Sequence, residues 1–218
     1  MAHRIQSTRT ITDRLAIASF GFVSIYLVRS DDGYIAFDAG MRPGSVRTEL
    51  HKLGIDPASV RHLFLTHSDT DHVGGLPAFP AAAVYFPEEE VAMITRKVPR
   101  FFGFIYSRDF GRPYRAIADG EVISLGDTAI KCISTPGHTA GSMSFLVNDS
   151  VLIVGDEFNL KDGKAVLDRA MIATDNEQRR ESILKLGRIP HVDHLCTMHS
   201  GYTDNFDHAM QEWRSTAD

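Results

Sequence analysis

Two cysteines and one tryptophan in 218 residues are too few to staple a disulfide scaffold. Both cysteines, Cys132 and Cys196, sit inside apolar, strand-like runs and read as buried reduced thiols. Long hydrophobic runs are also missing. The longest, "FGFVSIYLV" at 20–28, is far short of the roughly 20 residues that cross a bilayer. The opening "MAHRIQSTRTITDRL" has no apolar stretch of the kind that leads a chain into export. An excess of positive charge is lacking too: the net charge is −5 and the pI about 6.0, which gives no general attraction to nucleic acid or acidic lipid. A soluble, cytoplasmic chain with neither a membrane nor a nucleic-acid partner is expected. Its length and 43% hydrophobic content suit one compact domain over 1–218.

Histidine, in contrast, occurs ten times, and several copies stand at the ends of apolar runs. The chain also contains a degenerate internal repeat. "YLVRSDDGYIAFDAG" at 26–40 matches "FLVNDSVLIVGDE" at 145–157. Each reads as a β-hairpin whose second strand delivers an aspartate, Asp38 or Asp156. A helical stretch follows each hairpin, and then a strand ending in histidine, "HLFLTH" at 62–67 and "HLCTMH" at 194–199. In the first half Ser45 can cap a helix carrying Val46, Leu50 and Leu53 and closed by Gly54. In the second, Thr174 and Glu177 form a capping box ahead of Ile183, Leu184 and Leu186. Two such halves would pack sheet against sheet with helices outside, bringing Asp and His from both halves to one edge.

Between the halves a helix opens at Pro87, with Glu88, Glu89 and Glu90 in its first turn, where acid suits the dipole. "GEVISLGDTAIKCIS" reads as a hairpin turning at Gly126 and Asp127, and Thr203 to Trp213 as a terminal helix. Residues 96–115 form an aromatic and basic insertion, with six aromatics and six basic residues against one acid, Asp109. Phe101, Phe102, Phe104, Tyr106, Phe110 and Tyr114 could wall a pocket, with Phe102, Tyr106, Arg108 and Tyr114 the candidate substrate contacts. Arg100, Arg108, Arg112 or Arg115 could hold an anionic group. An oligomer interface, joining copies of the chain through 96–115, would have the same composition.

The densest chemistry is "LTHSDTDHVGG" at 65–75. In an extended loop residues 67 and 69 point one way, while 71 and 72 diverge, so one loop can feed two metal ions. Gly74 and Gly75 let the backbone pass close behind. With "TPGHTAGS" (His138), "VGDE" (Asp156), "MHSG" (His199) and the early "FDAG" at 37–40, the chain resembles the metallo-β-lactamase superfamily over nearly its whole length.

That resemblance implies an αββα sandwich and two divalent ions, one held by His67, residue 69 and His138, the other by Asp71, His72 and His199, with Asp156 between them. It implies a hydrolase, in which a hydroxide bridging the metals attacks a small ester, lactone or thioester, and Asp71 passes the proton to the leaving group. Asp38 then orients a ligand histidine, or is a plain turn residue. The substrate is a small molecule, anionic if the insertion's arginines bind it. The additional domains of nucleic-acid-processing relatives and of glyoxalase II are expected to be absent.

Position 69 departs from the pattern, which has histidine there. With Asp69 as a ligand the formal charge of two divalent ions, a hydroxide and the carboxylates falls from +1 to zero, making the metals weaker Lewis acids. Zinc is the first choice, and a harder oxygen ligand makes iron or manganese plausible. Three alternatives follow. The centre could be a non-haem iron oxidoreductase, flavodiiron-like or persulfide-dioxygenase-like; it could hold metal for binding or sensing without turnover; or Asp69 could hydrogen-bond without touching a metal.

Overall fold

The computed structural model describes residues 6–100, 102–167 and 172–214. Phe101, one of the aromatics assigned above to a pocket wall, lies outside them. Among the described residues, two sheets face each other. The first runs in chain order through β1 (Arg9–Thr10), β2 (Leu15–Ser19), β3 (Ser24–Ser30), β4 (Gly33–Phe37), β5 (Val60–Phe64), β6 (Ala83–Pro87) and β7 (Arg115–Ile117). The second contains β8 (Val122–Leu125), β9 (Thr128–Ser134), β10 (Met143–Val147), β11 (Val151–Val154), β14 (His194–Thr197) and β15 (Gly201–Thr203), in the order β15-β14-β11-β10-β9-β8. A small ribbon of β12 (Asn159–Lys161) and β13 (Lys164–Val166) stands apart from both.

Three apolar layers explain the stacking. Between the sheets, Phe37 and Phe64 meet Phe145 at ring-centroid distances of 5.5 and 5.4 Å, with Ile153, Cys132 and Cys196 in the same cluster. Both cysteines are free and buried, and burial pushes the Cys132 thiol up to about 12, which suits an inert core residue. Outside the first sheet, Val46 and Leu50 of α1 (Pro43–Lys52) pack on Leu63 and Leu65. Outside the second, Ile183 and Leu186 of α4 (Asn176–Gly187) and Met210 of α5 (Phe206–Arg214) pack on Leu152 and Leu195. The result is the αββα sandwich.

The repeat governs the topology. Hairpin β3–β4, helix α1 and strand β5 in one half correspond to β10–β11, α4 and β14 in the other. The last strand of each triplet pairs in parallel with the second of its hairpin, Phe37 beside Phe64 and Val154 beside Thr197.

Helix ends differ from the sequence reading for local reasons. Pro43, whose ring presets a helical φ, starts α1 two residues ahead of Ser45, with Arg42 as its cap residue. Asp175, not Thr174, caps α4, accepting from the backbone of Glu177 and Gln178. Pro87 ends β6, and Glu88–Glu90 form a 3-10 turn leading into the short α3 (Val91–Ile94). The terminal helix begins at Phe206, because Gly201–Thr203 pair with β14.

Gly75 shows why the loop behind "TDHV" needs a glycine: a Cβ there would lie 1.8 Å from the carbonyl oxygen of Ala39. Gly75→Ala should therefore destabilise the fold by roughly 3 kcal/mol, at the high end of overpacking costs. The urea midpoint measures this, and a change below about 1 kcal/mol would show that the two segments part easily.

Candidate metal centre

Three candidate ligands and Asp38 sit just beyond strand ends at one edge of the sandwich. Asp38 follows β4, His67 follows β5, Asp156 follows β11 and His199 follows β14, so the two parallel pairs aim their exits at the same place. The loop between β9 and β10 adds His138. The loop is extended only as far as Asp69 (φ −67°, ψ 147°), the residue before a single helical turn, α2 (Thr70–Val73), which carries Asp71 and His72.

Three triads form, His67–Asp69–His138, His67–His72–Asp156 and Asp71–His72–His199, each with one ligand atom per residue and all three atoms within 4.8 Å of one another. Asp156 spans both halves: its Oδ2 lies 3.0 Å from His199 Nε2 and 3.6 Å from His138 Nε2, and its Oδ1 3.3 Å from His72 Nε2. His67 Nε2, His72 Nε2 and Asp156 Oδ1 are buried and make no hydrogen bond. Buried polar atoms are normally satisfied, so three converging orphans of metal-ligating type fit a cation between them.

Their far sides are held firmly. His199 Nδ1 donates to the Phe22 carbonyl at 2.6 Å. His72 Nδ1 meets Asp38 Oδ2 at 2.7 Å. Thr66 Oγ1 donates to Asp38 Oδ2 at 2.8 Å and so accepts from His67 Nδ1 at 2.9 Å. One buried carboxylate thus orients two imidazoles, and each Nε2 lone pair is left facing the centre. Asp38 adopts a left-handed φ of 61° and also accepts from the Thr66 backbone at 2.7 Å, which holds the turn.

Electrostatics agree with a cation site. Burial alone would lower the His72 pKa, but the carboxylates of Asp156, Asp38 and Asp71 raise it well above its ordinary value. Burial would raise Asp156, yet His72 and His199 hold it well below the carboxylate range. Burial pulls His138 down to about 4, against its hydrogen bond to Asp69, which keeps the imidazole neutral and able to ligate.

Asp69 could cap α2 but does not. Its carboxylate is taken by Arg100 in a two-pronged pair, Nε to Oδ1 at 2.8 Å and Nη2 to Oδ2 at 2.9 Å. The same Oδ2 lies 3.1 Å from His138 Nε2 and 3.5 Å from His67 Nε2, close to the ~3.4 Å edge of a tetrahedron with bonds of about 2.1 Å. Burial pushes the Asp69 carboxyl up, and the hydrogen bonds from His138 and Arg100 together with the nearby His67 imidazole outweigh it, holding it well below the carboxylate range. Two expectations change. Arg100 is not available to an anionic substrate, and the charge count that reached zero omitted its guanidinium.

The other insertion residues also divide differently from the sequence reading. Tyr114 is half-buried, edge-on to Phe86 and beside Phe110, and packs against the apolar layer outside the first sheet. Arg112 donates to the carbonyls of Leu76, Phe79 and Ala82, and Arg115 in β7 pairs with Glu121. Arg108 lines a cavity beside Thr70, Gly74 and Pro77. Phe102 and Tyr106 are exposed, at 79% and 40%.

Sequence reasoning missed Glu90. Its carboxylate does not serve a helix dipole: it is fully buried and accepts from Ser68 N at 2.8 Å, Thr139 Oγ1 at 2.5 Å and Gly141 N at 3.2 Å. It thereby ties the loop of His67 and Asp69 to the loop of His138. Its flanks, Phe86 before and Val91, Met93 and Ile94 after, were the available signal for an acid facing inward. Arg179, also buried, donates to the Asp156 carbonyl at 2.6 Å.

A sequence profile of the metallo-β-lactamase superfamily matches residues 18–196. The chain belongs to the metallo-β-lactamase superfamily. It is similar to the Bacillus subtilis protein YobT, 31% identical over 176 residues that cover 75% of this chain and 73% of that one. It is also similar to a probable polyketide biosynthesis zinc-dependent hydrolase, BaeB, of Bacillus velezensis, 33% identical over 128 residues, covering 59% of this chain and 51% of the relative. The chain thus spans about half the length of that relative. A B3 metallo-β-lactamase described as having an active-site glutamic acid superposes with a TM-score of 0.73 at 19% identity, over 98% of this chain and 89% of the other. The metallo-hydrolase class follows for this member of the superfamily. No helix among the described residues is long and apolar enough to cross a membrane.

Proposed function

We propose that the chain hydrolyses a small ester, lactone or thioester with an apolar side, using two divalent ions, zinc first, held by His67, Asp69 and His138 and by Asp71, His72 and His199, with Asp156 shared. The observation that carries this reading is the convergence of unpartnered His67 Nε2, His72 Nε2 and Asp156 Oδ1 from both halves of the fold. The zinc-dependent relative supports the choice of metal. Divalent ions in such a cluster acidify a water molecule and polarise a carbonyl oxygen.

The chain's own groups supply the rest. Asp71 Oδ2 stands 3.4 Å from His199 Nε2, and its side chain is 23% exposed, open enough to hand a proton to a departing oxygen or sulfur. The buried imidazoles, held at Nδ1 by Asp38, Thr66 and Phe22, do not need to reorganise during the reaction. An apolar substrate is favoured by the surroundings. Phe22, 48% exposed, stacks on His199, and Ile172, 39% exposed, lends its carbonyl to Arg100, whereas Arg100, Arg112 and Arg115 are engaged within the chain.

A panel of esters, lactones, thioesters and β-lactams of increasing acyl length, assayed with metal content measured on the same preparation, tests the reading. Turnover that scales with bound zinc and rises with acyl length is expected. Stoichiometric iron with oxygen uptake would replace it by redox chemistry, and metal without turnover of any substrate by a binding role.

A further inference from the structure

Asp69 and Arg100 are 31 residues apart in sequence and come from separate segments, yet they meet with the geometry of a fitted pair. A guanidinium fork matched to both oxygens of a carboxylate fixes direction as well as charge, which a lysine cannot do. Arg100 is 5% exposed and is held on its other side as well. Its Nη1 donates to Thr174 Oγ1 at 3.1 Å and its Nη2 to the Ile172 carbonyl at 3.2 Å, while Thr174 Oγ1 donates to the His138 carbonyl at 3.2 Å. Its Nη2 also lies 3.1 Å from His138 Nε2. It stops short of the third member of the triad, because His67 Nε2 has no hydrogen-bond partner. The guanidinium therefore backs Asp69 from the side and leaves Oδ2 facing His67.

An imidazole ligand brings no charge, a carboxylate brings one negative charge, and an arginine bonded to that carboxylate cancels it. We propose that Asp69 and Arg100 form one neutral ligand unit that takes the place of a histidine at the first metal position, with Arg100 the positioning residue. Neither half can be exchanged alone. Asp69→Ala or Asp69→His strands a buried cation beside a metal cation. Loss of Arg100 frees the carboxylate to swing and adds an uncompensated negative charge to the triad. Breaking a buried pair from one side is much costlier than replacing both partners together. Histidine at position 69 is thus compatible with this chain only when residue 100 is uncharged.

This inference rests on the metal-centre reading, and the test separates the two. Wild type, Asp69→His, Arg100→Met and the double variant are stripped with chelator and titrated with zinc against a chromophoric competitor. Zinc per chain is counted by mass spectrometry, and thermal melts are recorded before loading. Each single variant is expected to bind the first zinc at least about tenfold more weakly than wild type, the lower end for losing an outer partner of a ligand. The double variant should return to within about threefold of wild type, a recovery that independent sites do not show. Asp69→His binding as tightly as the double variant, or Arg100→Met binding like wild type, overturns the unit. A wild-type chain that takes up no zinc overturns the metal centre itself and this inference with it. If Arg100→Met melts before it can be titrated, Arg100→Lys carries the comparison: keeping the charge without the fork, it should still bind zinc more weakly than wild type, and equality would overturn the positioning role.

Discussion

Asp156→Ala is expected to strip the centre of stoichiometric metal and to lower kcat/KM by at least about 100-fold, beyond the 10–100-fold typical of an outer-shell partner. Its two oxygens lie within 3.6 Å of three imidazole nitrogens, His72 and His199 on one side and His138 on the other. No other carboxylate in the cluster reaches ligands of both proposed ions in this way. The backbone at this point is secured independently, because Arg179 donates to the Asp156 carbonyl at 2.6 Å, a bond that alanine preserves. The variant should therefore keep its fold while losing metal, and far-ultraviolet circular dichroism alongside metal counting distinguishes the two. His67→Ala should behave alike, since His67 belongs to two of the three triads. Unchanged occupancy in both variants would refute the assignment of the site.

How much of this can be read from the chain without coordinates follows from the range of each signal. The repeat is carried by local patterns, hairpins and strand ends, and it leads to the αββα sandwich and to the edge where Asp38, His67, Asp156 and His199 gather. Histidine and aspartate at strand ends advertise themselves because such residues have few reasons to interrupt apolar runs. Arg100 and Glu90 do not. Six basic residues crowd 96–115, and composition cannot say which of them turns inward; that depends on a loop path set by Ser107 meeting Ser68 and Arg112 meeting three carbonyls. Three consecutive glutamates read as a helix start, and only packing reveals that the third is enclosed. The helix ends failed for a related reason: Ser45 and Thr174 have the right chemistry for caps, but Pro43 sets the start of α1 and Thr174 is already bonded to His138 and Arg100.

Glu90→Ala should be the most disruptive change outside the ligands. The glutamate receives three donors, from Ser68, Thr139 and Gly141, in a fully buried position. A buried donor left unsatisfied costs about 1–3 kcal/mol, so a loss of roughly 3 kcal/mol or more is expected. The loops cannot close on the vacancy easily, because a Cβ on Gly141 would already stand 2.6 Å from the Glu90 backbone nitrogen. Stability alone would make Glu90 a structural residue. Its placement predicts more, because the two loops it joins carry His67 and Asp69 on one side and His138 on the other, the members of a single triad. Glu90→Gln retains the shape but presents an amide where donors converge, so it should lower first-site metal affinity by about tenfold or more while the Asp71–His72–His199 triad, which Glu90 does not touch, keeps its own. Two-step zinc titration reads the two sites separately. A uniform weakening of both steps would mean that Glu90 only stabilises the fold, whereas selective loss of the first would show that the brace sets the distance between the His67 and His138 loops.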